Sequence, residues 1–432
     1  MTSAGATGPD GGPVRLALIG AGQRGSEVYG SFALAHPELV RFVAVAEPDR
    51  ARRDRFASAH AIPGDAAVEG WAELLTSGHQ AEAVIVATPD RAHVEPAVAA
   101  LEAGFPVLLE KPIAPGPEGV AAVADAASRR GSELTIAHPL RYTSFFSTIA
   151  RLVRDDAIGE LVEIDHLENV GWWHFAHSYV RGNWRRADLA SPIILAKACH
   201  DLDVIRWLAD APCTGVASFG SLRHFRPDAA PAGAPARCLD GCPAADSCPF
   251  YAPRFYGAHL ERGAGWPVSV LTPVATAEGL EEALRTGPYG RCVYHADNDV
   301  ADHQATLLRF ANGVVATLTV AAFTAENTRT VKVMGTRGEI RGHMERGEIE
   351  LRRFVEAGGS EVPPARRFDV PVGPGHAGGD EAMIEAFLGR LAAARSGARA
   401  APSPTSLGTS LESHRMAFAA ERSRREDEVV VP

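Results

Sequence analysis

The sequence has little of what membrane, secreted or nucleic-acid-binding proteins require. Its apolar runs fall short of the roughly 18 residues of a membrane span, and its formal net charge of −10 opposes binding to phosphate backbones or anionic membranes. Residues 1–12 are small and polar without an apolar core, so they predict a disordered leader and not a signal peptide. We expect a cytoplasmic protein with neither nucleic acid nor membrane as a partner.

Cysteine is also scarce, with six residues in a chain of 432. In a reducing cytosol these are expected to be thiols or metal ligands and not disulfides. The remaining composition, 46% hydrophobic and 22% charged, is that of an ordinary globular protein. The length exceeds one compact core and favours two domains.

A glycine-rich turn follows the first predicted strand, Val14 to Ile19, and a helical pattern continues to about Ala35. The turn has the sequence Gly20-Ala21-Gly22-Gln23-Arg24-Gly25. Strand, G-x-G-x-x-G and helix in this order are typical of a dinucleotide-binding domain, because the glycines allow a tight turn and close backbone approach to a pyrophosphate. The alternative is a glycine-rich turn that binds no nucleotide.

The second predicted strand, Val40 to Ala46, ends at Glu47, and this supports nucleotide binding. A carboxylate at this position can accept hydrogen bonds from the ribose hydroxyls. It favours NAD over NADP, since it would repel a 2′-phosphate. Arg50, Arg52 and Arg53 follow closely, so the use of NADP stays open.

Two later strands, 82–88 and 105–109, end at polar residues. In a doubly wound sheet, ligands lie beyond the carboxyl ends of the strands. We therefore expect the cofactor to contact residues that follow these strands: Thr88, Pro89, His93, Glu110 and Lys111. Lys111, between a buried strand and Pro112, is a rigidly placed amine that predicts acid–base chemistry, although a surface charge is the alternative.

The stretch 191–208, SPIILAKACHDLDVIRWL, carries a Lys, a His and two Asp in an apolar segment. On one helix, Lys197, His200, Asp201 and Val204 would share a face, which is typical of an active-site helix. A buried amphipathic helix with internally bonded polar groups is the alternative. Asp203 is expected to be a structural hydrogen-bond partner.

An aromatic segment, residues 172–186, interleaves rings with His, Arg and Asn. Such a mixture suits a hydroxylated ring substrate, because apolar faces stack on aromatic rings while hydroxyls bond to polar groups. The residues expected to bind substrate are Arg141, Tyr142, His177, Arg181 and Trp184. A packing loop or a subunit interface would have the same composition.

Four cysteines belong to a Pro/Ala/Gly-rich excursion, about residues 227–292: Cys238, Cys242, Cys248 and Cys292. Four thiolates on loops could form a closed tetrahedral zinc site that organises an insertion with little core of its own. The spacing departs from paired C-x-x-C knuckles. Free thiols and, less favoured, disulfides are the alternatives.

Taken together, GAGQRG, Glu47, Glu110-Lys111-Pro112 and HDLDVIRWL give the sequence a resemblance to the glucose-fructose oxidoreductase, inositol dehydrogenase and rhizopine-catabolism family (Gfo/Idh/MocA). This resemblance implies an α/β fold with a Rossmann domain, a doubly wound parallel sheet that binds NAD(P), at residues 13–138. It further implies a C-terminal α+β domain at 139–432, with a large, mostly antiparallel open sheet that often serves oligomer contacts. Strand-like runs between residues 161 and 341 and the hairpin signal Asn312-Gly313 agree with that sheet.

By family motif, Lys111 is the proton donor or acceptor and His200 assists it. The family's Asp, four residues before the His, is replaced here by Ala196. We expect Lys197 to take the place of this acid, as a second amine whose proximity would lower the pKa of both lysines. We expect Lys111, His200 and Lys197 to be catalytic.

The implied activity is NAD(P)-dependent oxidoreduction of a ring hydroxyl or ketone of a sugar, glycoside or cyclitol by a homo-oligomer, dimer or tetramer. Redox-elimination of a glycoside with tightly bound NAD is an alternative. A nucleotide-binding regulator without catalysis is a third.

Overall fold

The computed structural model describes residues 12–432 except 78, 264, 358, 399 and 400. Of the predicted leader, all but Gly12 lies outside the described residues. No helix in the described part of the chain is long and apolar enough to cross a membrane.

The first sheet has six parallel strands in the order β3-β2-β1-β4-β5-β6, which is the strand order of dinucleotide-binding sheets. Its strands are β1 Val14–Ile19, β2 Val40–Ala46, β3 Ala67–Val68, β4 Ala83–Val86, β5 Val107–Leu109 and β6 Leu134–Ile136. Apolar side chains of this sheet are buried on both faces, as parallel strands under crossover helices require. The strands β1 and β2 have the predicted bounds, whereas the two residues of β3 gave no detectable pattern.

Helices cover the first sheet on its two faces. They are α1 Ser31–Ala35, α2 Arg50–Ala59, α3 Trp71–Thr76, α4 Val94–Glu102 and α5 Pro117–Arg130. A sixth helix, α12 Gly379–Arg395, comes from the range predicted for the second domain. Its apolar side chains, including Met383 and Phe387, lie in the core of the first sheet, so the chain returns to its first sheet near its end.

The second sheet has eight strands in the order β14-β13-β12-β11-β7-β10-β9-β8. The strands are β7 Leu161–Asn169, β8 Cys213–Ser221, β9 His303–Phe310, β10 Val315–Ala321, β11 Thr328–Gly335, β12 Gly338–His343, β13 Glu348–Arg353 and β14 Arg366–Asp369. All neighbouring pairs are antiparallel except β7 and β10. Gly313, with φ of +88°, turns the β9–β10 hairpin, so the predicted fold class is confirmed.

One face of the second sheet is covered, and the other is open. The covering helices and the helices of the insertion are α6 Ser144–Arg154, α7 Trp172–Phe175, α8 Ile193–Ala196, α9 Cys199–Ala209, α10 Ala252–Arg262, α11 Ala277–Thr286 and α13 Leu407–Glu426. On the open face, Leu167, Phe219 and Leu307 are exposed. Leu167 and Phe219 belong to one row across the sheet, since Thr319 pairs with both Leu167 and Ala305, and Ala305 pairs with Phe219. Leu307 lies two residues further along β9.

Candidate functional site

The glycine-rich turn gives each of its glycines a different environment. Gly20 has φ of +96°, and a Cβ there would lie 2.7 Å from the Ala87 oxygen. A Cβ on Gly25 would meet the Gly20 oxygen at 2.1 Å, whereas one on Gly22 would have no neighbour within 4 Å. A tight turn, an open backbone and a close helix contact are what a dinucleotide pyrophosphate requires, so the turn fits the cofactor.

Glu47 lies buried at the carboxyl end of β2, beside this turn. Its Oε2 accepts the Ala21 N–H at 2.8 Å, and its Oε1 accepts the Asp49 N–H at 3.0 Å. Each carboxylate oxygen has a second lone pair, so hydrogen bonds from ribose hydroxyls remain open to it. Arg53 donates to the main-chain oxygen of Glu47 and therefore does not neutralise the carboxylate directly.

Arg24 forms ion pairs with two residues that are far apart in the sequence, Glu110 and Asp380. Its Nε donates to Glu110 at 2.7 Å, and its Nη1 and Nη2 donate to Asp380 at 3.0 and 2.8 Å. Burial alone would raise the pKa of Glu110 and of Asp380, but the Arg24 guanidinium holds both pKa values below their ordinary ones. Glu110 also accepts from Tyr29. The side chains of Arg24 and Glu110 thus bond to each other, while Gln23, at the start of the helical segment, is half-buried.

The residues after β4 are fastened to the loop after β5 by His93. Its ring nitrogens lie 2.6 Å from the Pro112 oxygen and 2.8 Å from the Thr88 oxygen, and the hydroxyl of Thr88 bonds to Ala92. His93 is therefore a brace that sets the positions of Thr88, Pro89 and Lys111, since it ties both loops at the carboxyl edge of the sheet.

Lys111 reaches from this edge to the second domain. Its Nζ donates to the Ala196 oxygen at 2.7 Å and lies 6.0 Å from the ring centre of Trp184. The Trp184 indole N–H donates to Asp90 at 3.2 Å, and Ser191 donates to the other Asp90 oxygen at 2.7 Å. Ala196 therefore meets Lys111 through its main chain, at the position where the family resemblance implied an acid.

The stretch 191–208 forms two helices and not one. Helix α8 ends at Ala196 and α9 begins at Cys199, because Lys197 and Ala198 depart from helical geometry, with ψ of 6° at Ala198. The predicted common face of Lys197 and His200 therefore does not form. The break frees the Ala196 carbonyl, which is the acceptor of Lys111.

His200 lies in a buried group of histidines. Its Nδ1 is 3.4 Å from Nδ1 of His138, and its ring packs against His376 at 5.2 Å between centroids. Burial first, and then Lys111, lowers the pKa of His200 well below its ordinary value, so the ring is neutral near pH 7. In the described residues, Nε2 of His200 is buried without a hydrogen-bond partner.

Among the described residues, one group of three metal-ligand side chains lies within 4.8 Å, namely His138, Cys199 and His200. Burial raises the pKa of the Cys199 thiol to about 12, and the positive charge of Lys111 lies nearby. The two imidazoles can bond to each other through one shared proton. His138, Cys199 and His200 are therefore uncharged near pH 7, and the two imidazoles are placed to share a hydrogen bond.

Lys197 points into a charged network that the sequence patterns did not reveal. Its Nζ lies 3.2 Å from Glu168, which also pairs with Arg329, and Arg329 pairs with Asp201 at 2.8 Å. His166 bonds to the same carboxylate at 2.7 Å. Burial lowers the pKa of Lys197, Glu168 opposes that shift, and Lys111 adds to it. The pKa of Lys197 is thus lowered, as predicted for this residue, although burial and not the second lysine is the main cause of the shift.

Arg141 and Tyr142 are engaged by protein groups. Arg141 forms a two-pronged ion pair with Asp203, at 2.6 and 2.8 Å, and donates to Pro404. The Tyr142 hydroxyl lies 3.1 Å from the Thr405 hydroxyl. Asp203 is thus the structural partner that was expected, but its partner is an arginine predicted to bind substrate, and we leave Arg141 and Tyr142 out of the proposed substrate site.

The aromatic segment packs against the insertion. The His177 ring bonds to the Tyr256 hydroxyl at 2.9 Å and stacks on Tyr289 at 4.8 Å. Arg181 donates to the main-chain oxygens of Arg291 and Phe250. Of the substrate residues expected from this segment, Trp184 lies at Lys111, whereas His177 and Arg181 are buried against the insertion.

His414 supplies a prediction of pH dependence. Its Nδ1–H donates to the Ser410 oxygen at 2.8 Å, its Nε2 accepts the Ile113 N–H at 2.9 Å, and burial lowers its pKa to about 3. Below about pH 6.5 His414 binds a proton in the unfolded chain but not in the folded chain. The free energy of unfolding therefore decreases as the pH is lowered from about 6.5 towards about 3. At pH 5 this effect of His414 should lower the free energy of unfolding by about 2 kcal/mol.

Urea unfolding of the wild type and of His414→Gln, each at pH 7 and pH 5, measures this cost. Glutamine carries no titrating proton, so the variant should lose about 2 kcal/mol less than the wild type between the two pH values. Equal losses would contradict a neutral His414. Other buried histidines contribute equally to both proteins.

Comparisons with known proteins cover nearly all of the chain. The family model described as "Oxidoreductase family, NAD-binding Rossmann fold" matches residues 14–138, and the model of its C-terminal alpha/beta domain matches residues 150–430. YteT of Bacillus subtilis (strain 168), described as an oxidoreductase, is 23% identical over 71% of this chain and 72% of its own. Inositol 2-dehydrogenase 4 of Saccharopolyspora erythraea is 29% identical over 51% of this chain and 60% of its own.

Among solved structures, levoglucosan dehydrogenase in complex with NADH and levoglucosan has a TM-score of 0.69 and 19% identity, covering 97% of this chain and 99% of that one. An NAD-binding oxidoreductase from Klebsiella pneumoniae gives the same TM-score at 18% identity, with the same coverage. At these identities the structural likeness establishes the fold.

Proposed function

We propose a function for this chain from its family: it belongs to the Gfo/Idh/MocA family of oxidoreductases with an NAD-binding Rossmann domain. In this proposal it oxidises a ring hydroxyl of a sugar, glycoside or cyclitol. The observation that carries the proposal is the approach of Lys111, from the carboxyl edge of the parallel sheet, to the Ala196 carbonyl beside His200. An amine and a neutral imidazole from two domains meet where a nicotinamide would lie.

The cofactor is NAD in preference to NADP. The Glu47 carboxylate stands at the carboxyl end of β2 beside the glycine-rich turn, where it can accept hydrogen bonds from two ribose hydroxyls but would repel a phosphate. NAD, when bound, supplies the hydride acceptor.

Lys111 exchanges the proton. As the substrate carbon gives up a hydride, the hydroxyl oxygen gives its proton to Nζ of Lys111, so that the two-electron oxidation leaves a ketone and an ammonium. The Ala196 carbonyl holds Nζ in place, and the same groups run the reverse reaction with the proton returning to the oxygen. His200 takes no charge in this scheme.

His200 and Lys197 assist in different ways. When Nδ1 of His200 accepts from His138, its proton lies on Nε2, and that N–H is a donor for a substrate oxygen. Lys197 pairs with Glu168, and Lys111 is close enough to lower the pKa of Lys197. Lys197 is thus a positioning residue in this proposal.

The substrate class is supported by the site's composition and by named relatives. Trp184 offers an aromatic face beside Lys111, and such faces stack on the apolar side of sugar rings. The relatives named inositol 2-dehydrogenase and levoglucosan dehydrogenase act, by their names, on a cyclitol and an anhydrosugar.

A substrate screen tests the proposal. The full chain is mixed with NAD or NADP and with inositols, anhydrosugars, monosaccharides and aryl glycosides, and reduced-nicotinamide absorbance is followed. We expect NADH to accumulate with at least one cyclic polyol and more slowly with NADP. Release of an aryl group without free NADH would overturn the proposed dehydrogenase activity in favour of redox-elimination. NAD binding without turnover of any compound would favour the regulator.

We also propose a homo-oligomer that pairs through the open face of the second sheet. Leu167, Phe219 and Leu307 are exposed apolar side chains on that face, which an identical face can cover. Light scattering of Phe219→Glu against the wild type should show a smaller particle, and an unchanged mass would contradict this assignment.

A further inference from the structure

The four cysteines of the insertion, spread over 55 residues of sequence, surround one small cavity. Cys238, Cys242, Cys248 and Cys292 all line a space of about 10 Å³. An antiparallel bridge between Arg237 and Arg291 brings the two ends of the excursion together, with Cys238 N–H donating to Gly290 and Cys292 N–H donating to Ala236. The described residues of the cavity lining include no Asp or Glu, so the candidate ligand atoms are sulfur. No three of these sulfurs lie within 4.8 Å of one another, so a metal ion would have to draw the side chains inward.

Main-chain hydrogen bonds shape the turn between Cys242 and Cys248. The Ala245 N–H donates to the Cys242 oxygen at 3.2 Å, and the Cys248 N–H donates to the Ala244 oxygen at 2.8 Å. Arg254 donates to the main-chain oxygens of Ala245 and Asp246, which fixes the turn between Cys242 and Cys248.

Arg181 is a buried charge that needs a counter-charge at this place. It is 2% exposed, and its guanidinium contacts two main-chain oxygens and the Cys238 sulfur, at 3.7 Å. Within the described residues, Arg181 forms no ion pair with a carboxylate. A buried arginine is almost always paired with a negative group, and neutral thiols cannot provide one.

The insertion also has a small core of its own. Its separate buried cluster comprises five residues, including Tyr256, Leu280 and Leu284. Segments with so little apolar burial commonly depend on a metal or a disulfide. All six cysteines are free thiols.

We propose that Cys238, Cys242, Cys248 and Cys292 bind a structural zinc ion whose charge is balanced by Arg181. Four thiols that bind Zn²⁺ release four protons, and the resulting complex carries a charge of −2. Arg181 neutralises half of it and donates to a ligand sulfur, as groups around zinc ligands do. A disulfide would leave two neutral thiols and no partner for the guanidinium. The proposal is independent of the substrate.

Elemental analysis of the purified full chain tests the site. We expect one zinc per chain, and Cys242→Ser should lose it, whereas Cys213→Ser, a buried cysteine in β8, should keep it. Arg181→Met should retain the ligands but weaken zinc, in competition with a chelator, by about 10–100-fold. Removal of zinc from the wild type should lower its thermal midpoint and expose four thiols to a thiol reagent, which requires no variant to fold.

Contrary results are equally clear. Folded protein that carries no zinc and takes up none would overturn the site, as would full zinc content in Cys242→Ser. Iron with thiolate charge-transfer bands would overturn the assignment to zinc. An unchanged zinc affinity in Arg181→Met would overturn the role of the arginine. Cobalt replacement should give the visible bands of a tetrahedral thiolate complex, and bands of an octahedral ion would contradict the ligand set.

Discussion

Replacing Lys111 by methionine is expected to lower kcat/KM by about 10²–10⁴-fold, the usual contribution of a positioned acid or base. Methionine keeps the length of the side chain but cannot accept the hydroxyl proton. Because the Lys111 amine bonds to the Ala196 carbonyl, its removal leaves no buried carboxylate without a partner among the described residues, and we expect the variant to fold and the loss to fall on kcat. Steady-state kinetics with the substrate found by screening measure the effect, and NAD titration by fluorescence should show nearly unchanged binding.

The two other lysines provide matched controls. Of the 43 basic residues, three are lysines, at positions 111, 197 and 332. Lys332→Met changes a half-buried residue on β11 that pairs with Glu339, and kinetics should be unchanged. Lys197→Met should cause a smaller loss of kcat/KM than Lys111→Met, since Lys197 pairs with Glu168 and does not exchange the proton. Wild-type kcat/KM in Lys111→Met would refute the proposed acid–base group.

Replacing Arg141 by methionine is expected to lower the unfolding free energy by about 3–5 kcal/mol, because it leaves Asp203 buried without its partner. The pair is bidentate, and both side chains are almost fully buried. Urea unfolding measures the loss. If Arg141 bound substrate instead, the variant would raise KM with stability nearly unchanged.

The double variant Arg141→Met with Asp203→Leu separates a broken pair from lost packing. Two apolar side chains of similar volume often replace a buried ion pair with little or no loss. We expect most of the stability to return in the double variant. If the losses of the two single variants simply add, the pair does not act as a unit and the argument is refuted.

Local patterns were sufficient for most strands of the first sheet and for the position of Lys111, but not for β3. The strands β1 and β2, the glycine-rich turn and the hairpin at Gly313 each depend on a few consecutive residues. Helix α2, with a sequence dominated by Arg and Ala, has little apolar periodicity and was missed, since its stability comes from capping by Asp49 and from the sheet beneath it.

Long-range partners were beyond such patterns. Arg24 and Asp380 are 356 positions apart, and nothing in GAGQRG shows that its arginine bonds to carboxylates and not to a pyrophosphate. The Glu168–Arg329–Asp201 network has the same origin, because it joins two strands and a helix. The scarcity of lysine was a signal that could have marked the site, because two of the three lysines, Lys111 and Lys197, lie there.

Helix α12 has a consequence for the order in which the chain can be assembled on the ribosome. The last strand of the first sheet ends at Ile136, and the helix that completes its core ends at Arg395, 259 residues later. At a synthesis rate of about 5–20 residues per second, this helix is complete roughly 13–50 s after the last strand of the first sheet. During that time the surface that Met383 and Phe387 will cover is open to other chains. The amino-terminal domain therefore matures late, after most of the carboxyl-terminal domain has been made.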